Sequence, residues 1–414
     1  MRIGVLGAGI VGLSTAEWLR RDGHSVTLLD RIEPGDPAQT SYGNAGILSD
    51  TSVVPVPVPG LLAKAPRLLF SREGALFLKW AYLPRLLPWL VPYLRAGRLR
   101  EVERISRALG DLIGDTVEQH RALAASTGAE RFIEPSGYTF LYRDRDEWQA
   151  DALGNRLRAE AGVAFEERPR AALLAEDPHL GPAYGFGIRF RDSGWVRDPG
   201  GYARALFAHY RREGGGFVQG DIHDIVPGER GVEVVHAGKR THFDHIVLAM
   251  GVWSARLAKR LGHRPQLESE RGYHLVLKNP NRRPPVPYML ADAKSVATPM
   301  DAGVRLAGLV EFGGLKAAPT EAAWALQRRR VRALYPDLTW EDEVCWMGHR
   351  PSTVDSLPLL GASPKARGVW FAFGAQHLGL TTGPKSGRLI ADMIAGRTPN
   401  IDLTPCRVGR FDGA

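Results

Sequence analysis

Cysteine is nearly missing from this chain, whose 414 residues include only Cys345 and Cys406. Two cysteines exclude a disulfide framework of the kind that stabilises small secreted proteins. They also exclude a cysteine metal cluster, and the sequence contains neither a CxxC nor an HExxH motif. We therefore expect no metal at the functional site.

Long apolar runs are missing as well. No stretch reaches the ~18 consecutive apolar residues of a membrane-spanning helix. The short apolar run at the N-terminus breaks into glycines and continues as an amphipathic helical pattern, which is unlike a secretory signal. Both observations predict a cytoplasmic protein.

A long block of one charge is also absent, although the net charge is +9 from 54 basic and 45 acidic residues. Such an excess can attract nucleic acid, anionic lipid or acidic substrates. The densest basic run, Arg328 to Arg330, lies in a helical pattern and indicates a solvated helix face. We therefore expect no nucleic-acid partner.

Glycine is abundant, with 47 residues, and one group of glycines lies inside a βαβ pattern. Residues 2–6 form a short apolar run, residues 10–21 have helical periodicity, and residues 24–30 alternate as a second strand. The turn between the first strand and the helix, residues 7–12, reads GAGIVG. This order is the dinucleotide-binding arrangement.

Each glycine of the turn has a separate purpose. Gly7 permits the tight turn, Gly9 lets a pyrophosphate approach the backbone, and Gly12 lets the helix pack against the sheet. Asp30 ends the second strand, where its carboxylate can accept both ribose hydroxyls and would repel the 2′-phosphate of NADP. The motif does not choose between NAD and FAD, and a purely structural glycine turn stays an alternative.

Two later segments favour FAD. Residues 246–253 (IVLAMGVW) form an apolar strand that ends in a glycine, and residues 371–384 (FAFGAQHLGLTTGP) lead through a glycine turn into a helix. Residues 371–384 are thus a further segment in which a strand leads through a glycine turn into a helix. Such a segment suits a long cofactor whose far end needs its own pocket. A helix N-terminus beside a flavin ring would also stabilise negative charge on the reduced flavin.

Other patterns complete the prediction of secondary structure. Residues 61–125 are mostly helical and are interrupted by four prolines. Phe217–Val226 and Gly231–His236 predict two strands of a meander. His242–Met250 predicts one apolar strand, and Tyr273–Leu277 a further strand.

Residues 79–95 (KWAYLPRLLPWLVPYLR) are aromatic, rich in leucine and flanked by basic residues. Segments at the membrane interface have this composition. The alternative is a buried helix pair that covers a substrate pocket. Prolines every four residues are expected to break a long helix. As an interfacial segment, 79–95 would place the protein at the inner face of the membrane, near quinone.

Five segments in order resemble one family: the GAGIVG turn with Asp30, residues 41–46 (SYGNAG), 248–254 (LAMGVWS), 348–358 (GHRPSTVDSLP) and the C-terminal glycine-rich turn. Together they resemble the amino-acid-oxidising FAD family that includes D-amino acid dehydrogenase, glycine oxidase and D-amino acid oxidase. The likeness covers essentially the whole chain. It is strongest to D-amino acid dehydrogenases, including those that act on D-proline and D-hydroxyproline.

The resemblance implies an α/β fold in which a Rossmann-like FAD-binding domain is interleaved with an α+β substrate domain on a mixed, largely antiparallel sheet. We expect the FAD-binding domain to comprise 1–52, 193–262 and 343–414, and the substrate domain to comprise 53–192 and 263–342.

The turn and the resemblance together predict the residues that contact FAD. These are Gly7, Gly9, Ile10, Val11, Gly12, Asp30, Arg31, Ser41, Asn44, Ala45, Gly46, Ile47, Ile222, Ala249, Gly251, Trp253, Gly374, His377, Leu378, Gly379, Leu380 and Thr381. The chain departs from many relatives at Ala375, where they have histidine, and at Val354, where they have proline. Sarcosine oxidases attach flavin to a cysteine just before the arginine–proline pair. This chain has Met347-Gly348-His349 there, so we expect noncovalent FAD.

Arg350 matches the arginine that holds the substrate carboxylate in the family. A guanidinium can grip a carboxylate through two parallel hydrogen bonds, which a lysine cannot copy. The alternative is a structural salt bridge with Asp355. Tyr273 is a candidate for a second hydrogen bond to the carboxylate and His274 for accepting the amine proton, unless they form a half-buried strand pair.

The predicted reaction is oxidative deamination of a small amino acid, of D configuration by resemblance, by hydride transfer from Cα to the flavin. Electrons would pass to quinone or another carrier. The alternatives are an oxygen-using oxidase of glycine, sarcosine or a D-amino acid, and an NAD-binding module without redox chemistry.

Overall fold

The structure is a computed structural model that describes residues 1–70 and 74–413. Over these residues the helices are α1 (Ile10–Arg21), α2 (Leu61–Phe70), α3 (Leu83–Ala96), α4 (Leu99–Ile113), α5 (Thr116–Ala124), α6 (Arg145–Ala150), α7 (Ala152–Glu160), α8 (Arg170–Glu176), α9 (Pro199–Arg212), α10 (Ser254–Arg260), α11 (Glu321–Leu334) and α12 (Gly379–Ile394).

The strands in the same residues are β1 (Arg2–Leu6), β2 (Ser25–Asp30), β3 (Ile47–Leu48), β4 (Leu76–Leu78), β5 (Ile133–Glu134), β6 (Tyr138–Tyr142), β7 (Glu166–Pro169), β8 (Phe186–Phe190), β9 (Gly194–Val196), β10 (Gly216–Gln219), β11 (Ile222–Gly228), β12 (Gly231–His236), β13 (Lys239–Phe243), β14 (His245–Leu248), β15 (Leu267–Lys278), β16 (Tyr288–Leu290), β17 (Ser295–Met300), β18 (Gly303–Phe312), β19 (Asp342–Thr353), β20 (Leu359–Ala362) and β21 (Val369–Phe373).

The first sheet has the order β10-β2-β1-β14-β21-β20, and all of its pairs except β20–β21 are parallel. The strands β1 and β14 are buried nearly throughout, as in a parallel sheet that is covered on both faces. The predicted Rossmann-like unit is confirmed. Since the strands run in one direction, the ends of β1, β14 and β21 lie at the same edge.

The second large sheet has the order β19-β15-β18-β17-β16-β6-β8-β7, and β4 also pairs with β18. Most of its pairs are antiparallel, while β16–β6 and β18–β4 are parallel. This confirms the predicted mixed, largely antiparallel sheet. The predicted domain boundaries stay a prediction, and β19, which they give to the FAD-binding domain, pairs with β15 in this second sheet.

Two predicted strands are each divided in the structure. Phe217–Val226 is split between β10, which continues the parallel sheet, and β11, which opens the three-stranded meander β11-β12-β13. The division falls at Gly220, whose N–H donates to the carbonyl of Asp30. His242–Met250 is split at Asp244, which accepts a hydrogen bond from the N–H of Arg2. In both places a turn residue ends one strand although apolar residues continue beyond it.

The expectation that prolines break the segment 79–95 is wrong, because α3 is a continuous helix with Pro88 and Pro92 inside it. A proline removes one N–H donor and leaves the carbonyl four residues earlier without its helical partner. With a spacing of four residues, these defects fall on one side of the helix. Pro84 and Pro88 are exposed, so water can hydrate the freed carbonyls on that side.

In the described part of the chain, no helix combines the length and apolar character needed to cross a bilayer.

Candidate cofactor and substrate site

The GAGIVG turn is closely packed and accepts only glycine at two of its positions. Gly7 has φ +105°, and a Cβ there would lie 2.4 Å from the carbonyl oxygen of Ala249. A Cβ on Gly12 would lie 1.8 Å from the carbonyl oxygen of Gly7. Gly9 caps α1, whose first turn has no acidic residue. The positive end of α1 therefore faces this turn without a carboxylate of its own helix.

The ends of two other strands, β2 and β14, lie near this turn. Asp30 ends β2, and its carboxylate accepts a 2.6 Å hydrogen bond from the N–H of Ala8. Desolvation raises the pKa of Asp30 above its ordinary value, against the lowering effect of that hydrogen bond. The guanidinium of Arg31 lies 4.4 Å from the ring centroid of Trp253, in the turn that follows β14. Ile222 is buried in the apolar cluster that covers this side of the sheet.

Loop 41–47, which comprises the predicted segment 41–46 and Ile47, connects the two glycine-rich turns. The hydroxyl of Ser41 accepts a 2.9 Å hydrogen bond from the N–H of Ile10. The Asn44 side chain donates to the carbonyl of His377 at 3.3 Å, and the Thr381 hydroxyl donates to the carbonyl of Ile47 at 3.1 Å. One short segment therefore touches both the start of α1 and the start of α12.

The same loop is attached to the second sheet. The Thr298 hydroxyl donates to the carbonyl of Ala45 at 2.8 Å. Arg305, which sequence analysis did not identify, donates to the carbonyls of Tyr42 at 3.0 Å and Asn44 at 2.6 Å. Loop 41–47 is therefore fixed between the Rossmann-like unit and the second sheet.

The C-terminal glycine turn lies next to the first turn because α12 packs directly on α1. Gly387 brings the two backbones together, since a Cβ there would lie 2.6 Å from the N atom of Thr15. The indole N–H of Trp18 donates to the carbonyl of Pro384 at 3.1 Å. At the start of α12, the Leu380 carbonyl is bonded to His120 of α5 at 2.9 Å. Sequence analysis did not identify His120.

Arg350 lies on the face of the β15–β19 pair that α3 covers. Its guanidinium lies over Gly272, where a Cβ would be 2.6 Å from the Arg350 Cζ atom. It donates to the carbonyl of Leu309 on β18 at 3.0 Å. From α3, the Trp89 indole donates to the carbonyl of Ser352 at 3.2 Å. The helix of segment 79–95 therefore packs on the sheet close to Arg350, and whether it covers a substrate pocket stays a prediction.

Arg350 does not form the salt bridge with Asp355 that was its structural alternative. Asp355 is paired with Arg410 through bonds of 2.8 and 2.9 Å. The acidic group whose charge acts on Arg350 is Glu270. Burial lowers the pKa of Arg350 from its ordinary value, but a guanidinium stays charged at any physiological pH.

His377 lies close enough to Arg350 for their charges to interact. Desolvation within the site, with a smaller effect of the Arg350 charge, lowers the pKa of His377, although the residue is exposed to solvent. The C-terminal glycine turn and the arginine are thus brought together at one place in the fold.

Tyr273 and His274 project to opposite faces of β15. The Tyr273 hydroxyl donates to Glu311 and accepts from the N–H of Thr320, on the face that carries α11. Desolvation raises the pKa of Tyr273 to about 12. Their predicted roles with the substrate stay predictions.

His274 lies on the same face as Arg350. Its Nδ1 donates to the carbonyl of Gly43 at 2.9 Å, and its ring stacks on Trp346 at 4.8 Å. Desolvation holds the pKa of His274 well below its ordinary value. Trp346 and Glu270 were not identified from the sequence. Period-two alternation along residues 270–274 would have placed Glu270 and His274 on one face.

The chain matches known proteins over nearly its whole length. The profile of the DAO family, described as FAD dependent oxidoreductase, matches residues 2–393. A D-amino-acid oxidase of Bradyrhizobium diazoefficiens is 38% identical over 99% of this chain and 98% of its own. A D-amino acid dehydrogenase of Cereibacter sphaeroides is 30% identical over 99% of this chain and 95% of its own. The chain therefore belongs to the FAD dependent oxidoreductase family.

Solved structures show the same fold. Glycine oxidase from Geobacillus kaustophilus superposes with a TM-score of 0.73 at 22% identity, covering 99% of both chains. L-proline dehydrogenase from P. horikoshii superposes with a TM-score of 0.74 at 16% identity, covering 100% of this chain and 98% of that one.

The site itself fits an FAD molecule. The GAGIVG turn has no room for side chains at Gly7 and Gly12, and α1 presents its positive end there. An acidic residue ends the next strand, as the ribose requires. The protein is thus an FAD-dependent oxidoreductase, which confirms the family resemblance and the predicted cofactor.

Proposed function

We propose that this protein oxidises the Cα–N bond of a D-amino acid. The observation that carries the proposal is Arg350, a cation beside the C-terminal glycine turn that is paired with no carboxylate within 4.0 Å in the described chain. The curated relatives named above support a D-amino acid as the substrate.

Separate groups of residues in this chain serve the cofactor and the substrate. Residues 7–12 and Asp30 would hold the pyrophosphate and ribose of FAD, while residues 41–47 and 377–381 would lie along the flavin. Arg350 receives the substrate carboxylate and so orients Cα. Bound FAD supplies a two-electron acceptor for the hydride that leaves Cα. No cysteine occupies 347–349, which supports noncovalent binding.

An anaerobic screen of the yellow holoprotein tests the substrate class. We expect one or more D-amino acids, with D-proline in the panel, to bleach the flavin absorbance within seconds. L-amino acids and N-methyl amines are the comparison panels. A flavin that only L-amino acids or N-methyl amines reduce would contradict the proposal.

We propose a quinone or another carrier as the electron acceptor, and the apolar exterior of α3 favours this over oxygen. The helix is buried at Leu86 and Trp89 on its inner side, yet Leu87 and Val91 on its outer side are 47% and 46% exposed. Basic residues lie among these exposed apolar side chains, which is the composition of a segment at a membrane interface. Residues 74–100 contain five basic and no acidic residues, which suits anionic lipid.

Vesicle binding tests this surface. We expect Val91→Glu to weaken co-sedimentation with anionic phosphatidylglycerol vesicles about tenfold, because it loses apolar insertion and adds a repelled charge. Val226→Glu is the matched control, since Val226 is 41% exposed on β11. Equal binding by both variants and the wild type would contradict a membrane role for α3.

The second candidate is an oxidase that uses oxygen, which the 38% identical D-amino-acid oxidase favours. Hydrogen peroxide formed in proportion to substrate would identify an oxidase. Turnover that needs added quinone and forms no peroxide would identify a dehydrogenase.

A further inference from the structure

Glu270 faces Arg350 across the β15–β19 pair. The two residues are direct register partners, and the side chain of Glu270 is almost fully buried, with 2% of its surface exposed. The guanidinium does not close on this carboxylate. It turns along the sheet over Gly272 and donates to the carbonyl of Leu309. In residues 1–70 and 74–413, no ion pair within 4.0 Å involves either side chain.

Few charged groups surround this carboxylate. Arg350 approaches it from β19, Glu268 lies two residues earlier on β15, and Tyr93 faces it from α3. The register partner on β18 is the uncharged Phe312, and the hydroxyl of Ser352 lies nearby. A buried carboxylate with no cation within 4.0 Å is costly even where a cation lies farther off, so such groups are normally paired or neutralised. This position therefore calls for a positively charged ligand.

We propose that Glu270 binds the α-ammonium group of the amino-acid substrate while Arg350 binds its carboxylate, an inference that rests on the proposed function. Directly opposed side chains on antiparallel strands start about 5 Å apart at Cβ. An α-amino acid carries its two charges on one carbon, with opposite signs. A cation and an anion at opposed register positions match that zwitterion.

Glu270 can also accept a proton from the substrate nitrogen. An ammonium group has no lone pair, so it must lose a proton before the Cα–N double bond can form. That proton moves from the substrate nitrogen to a carboxylate oxygen of Glu270. The nitrogen lone pair would then form the Cα–N double bond as the hydride, with its electron pair, passes to the FAD that residues 7–12 and Asp30 would hold. The product is the imino acid, and Glu270 is left protonated.

The proposed role of Glu270 determines how the rate of flavin reduction changes with pH. Burial raises the pKa of Glu270, and the nearby Glu268 raises it further, while Arg350 and Ser352 lower it. The carboxylate form is the one that binds the ammonium group and takes its proton. The rate of flavin reduction should therefore fall as the pH drops through this raised pKa. This fall in rate at low pH is the acidic limb of the pH profile. Replacement of the carboxylate should remove it.

Glu270→Gln in the FAD-loaded enzyme is the test, with Glu268→Gln as the matched control. Glu268 is on the same strand and face, but the Tyr82 hydroxyl already donates to its carboxylate at 3.0 and 3.1 Å. The probes are D-alanine, or the best D-amino acid of the screen, and the corresponding carboxylic acid without the amino group, which is propionate for D-alanine. Anaerobic flavin reduction is followed against pH, and propionate binding by its perturbation of the flavin spectrum.

We expect Glu270→Gln to slow flavin reduction about 100-fold and to lose the acidic limb, because a positioned base contributes on this scale. Propionate binding should stay within about twofold of the wild type, since propionate has no ammonium group. Glu268→Gln should reduce its flavin like the wild type. If Glu270→Gln does not fold, Glu270→Asp should reduce slowly and keep the limb.

Two outcomes would overturn the inference. A wild-type rate and pH profile in Glu270→Gln would show that the carboxylate is not needed; where only Glu270→Asp folds, a wild-type rate in that variant would show that the carboxylate need not be positioned at the substrate nitrogen. If Glu270→Gln lost propionate binding to the same extent as flavin reduction, Glu270 would only position Arg350. Both outcomes differ from failure of the proposed function, in which no D-amino acid would reduce the flavin of the wild type. In that case the inference about Glu270 would fail together with the proposed function.

Discussion

Gly9→Val should give a folded protein that binds no FAD. A Cβ at Gly9 would meet only the Ser41 hydroxyl, at 3.3 Å, with no other atom of the described chain within 4 Å. The protein without FAD therefore leaves room for a Cβ at this position. The side chain would instead occupy the space in which the pyrophosphate approaches the backbone. The loss should be visible as a colourless protein after purification.

Gly12→Val provides the contrast. A Cβ at Gly12 would lie 1.8 Å from the carbonyl oxygen of Gly7, so this change should disrupt the turn and the packing of α1 whether or not FAD is present. We expect the apoprotein of Gly9→Val to melt close to wild-type apoprotein and that of Gly12→Val to melt well below it. Bound flavin in Gly9→Val, measured as the ratio of flavin to protein absorbance, would refute this assignment of the pyrophosphate.

Arg350→Lys should keep FAD but lose about 100-fold or more in kcat/KM, which corresponds to ~3 kcal/mol for a charged hydrogen-bonded contact. Lysine retains the positive charge but not the two parallel donors that fix the plane of a carboxylate. Misorientation of Cα then adds to the lost contact. Stopped-flow reduction of the flavin by the best D-amino acid measures the effect.

Arg410→Lys is the control for this change. Arg410 forms a similar two-bond pair with a carboxylate, that of Asp355, but it lies in the C-terminal segment and no part of the proposed site uses it. We expect a lower melting temperature and a kcat/KM within about threefold of the wild type. Normal turnover in Arg350→Lys would show that the substrate carboxylate is held elsewhere.

The sequence predicted most where the chemistry is local. The GAGIVG turn, α1 and Asp30 lie within 30 residues, and their spacing alone determines the βαβ unit. The same reasoning failed for α3, because the rule that proline breaks a helix ignores whether water can reach the freed carbonyls. Pro84 and Pro88 are exposed, so water can hydrate carbonyls on that side, and the helix continues.

Pairing between distant strands could not be predicted. Asp355 was the nearest acid to Arg350 along the chain, but the structure pairs it with Arg410, which is 55 positions away. Glu270 was outside the predicted strand at Tyr273–Leu277, because β15 begins earlier, at Leu267. Only the register of β15 against β19 places Glu270 opposite Arg350. Long-range register depends on tertiary packing that no short motif records.

A crystal structure of the oxidised holoenzyme with bound propionate would test most directly whether both glycine-rich turns and Arg350 serve one site. We predict continuous FAD density from residues 7–12 to residues 377–381, with the propionate carboxylate on the Arg350 guanidinium. A flavin ring directed away from the C-terminal turn, or a propionate held by other residues, would contradict the site proposed for this protein.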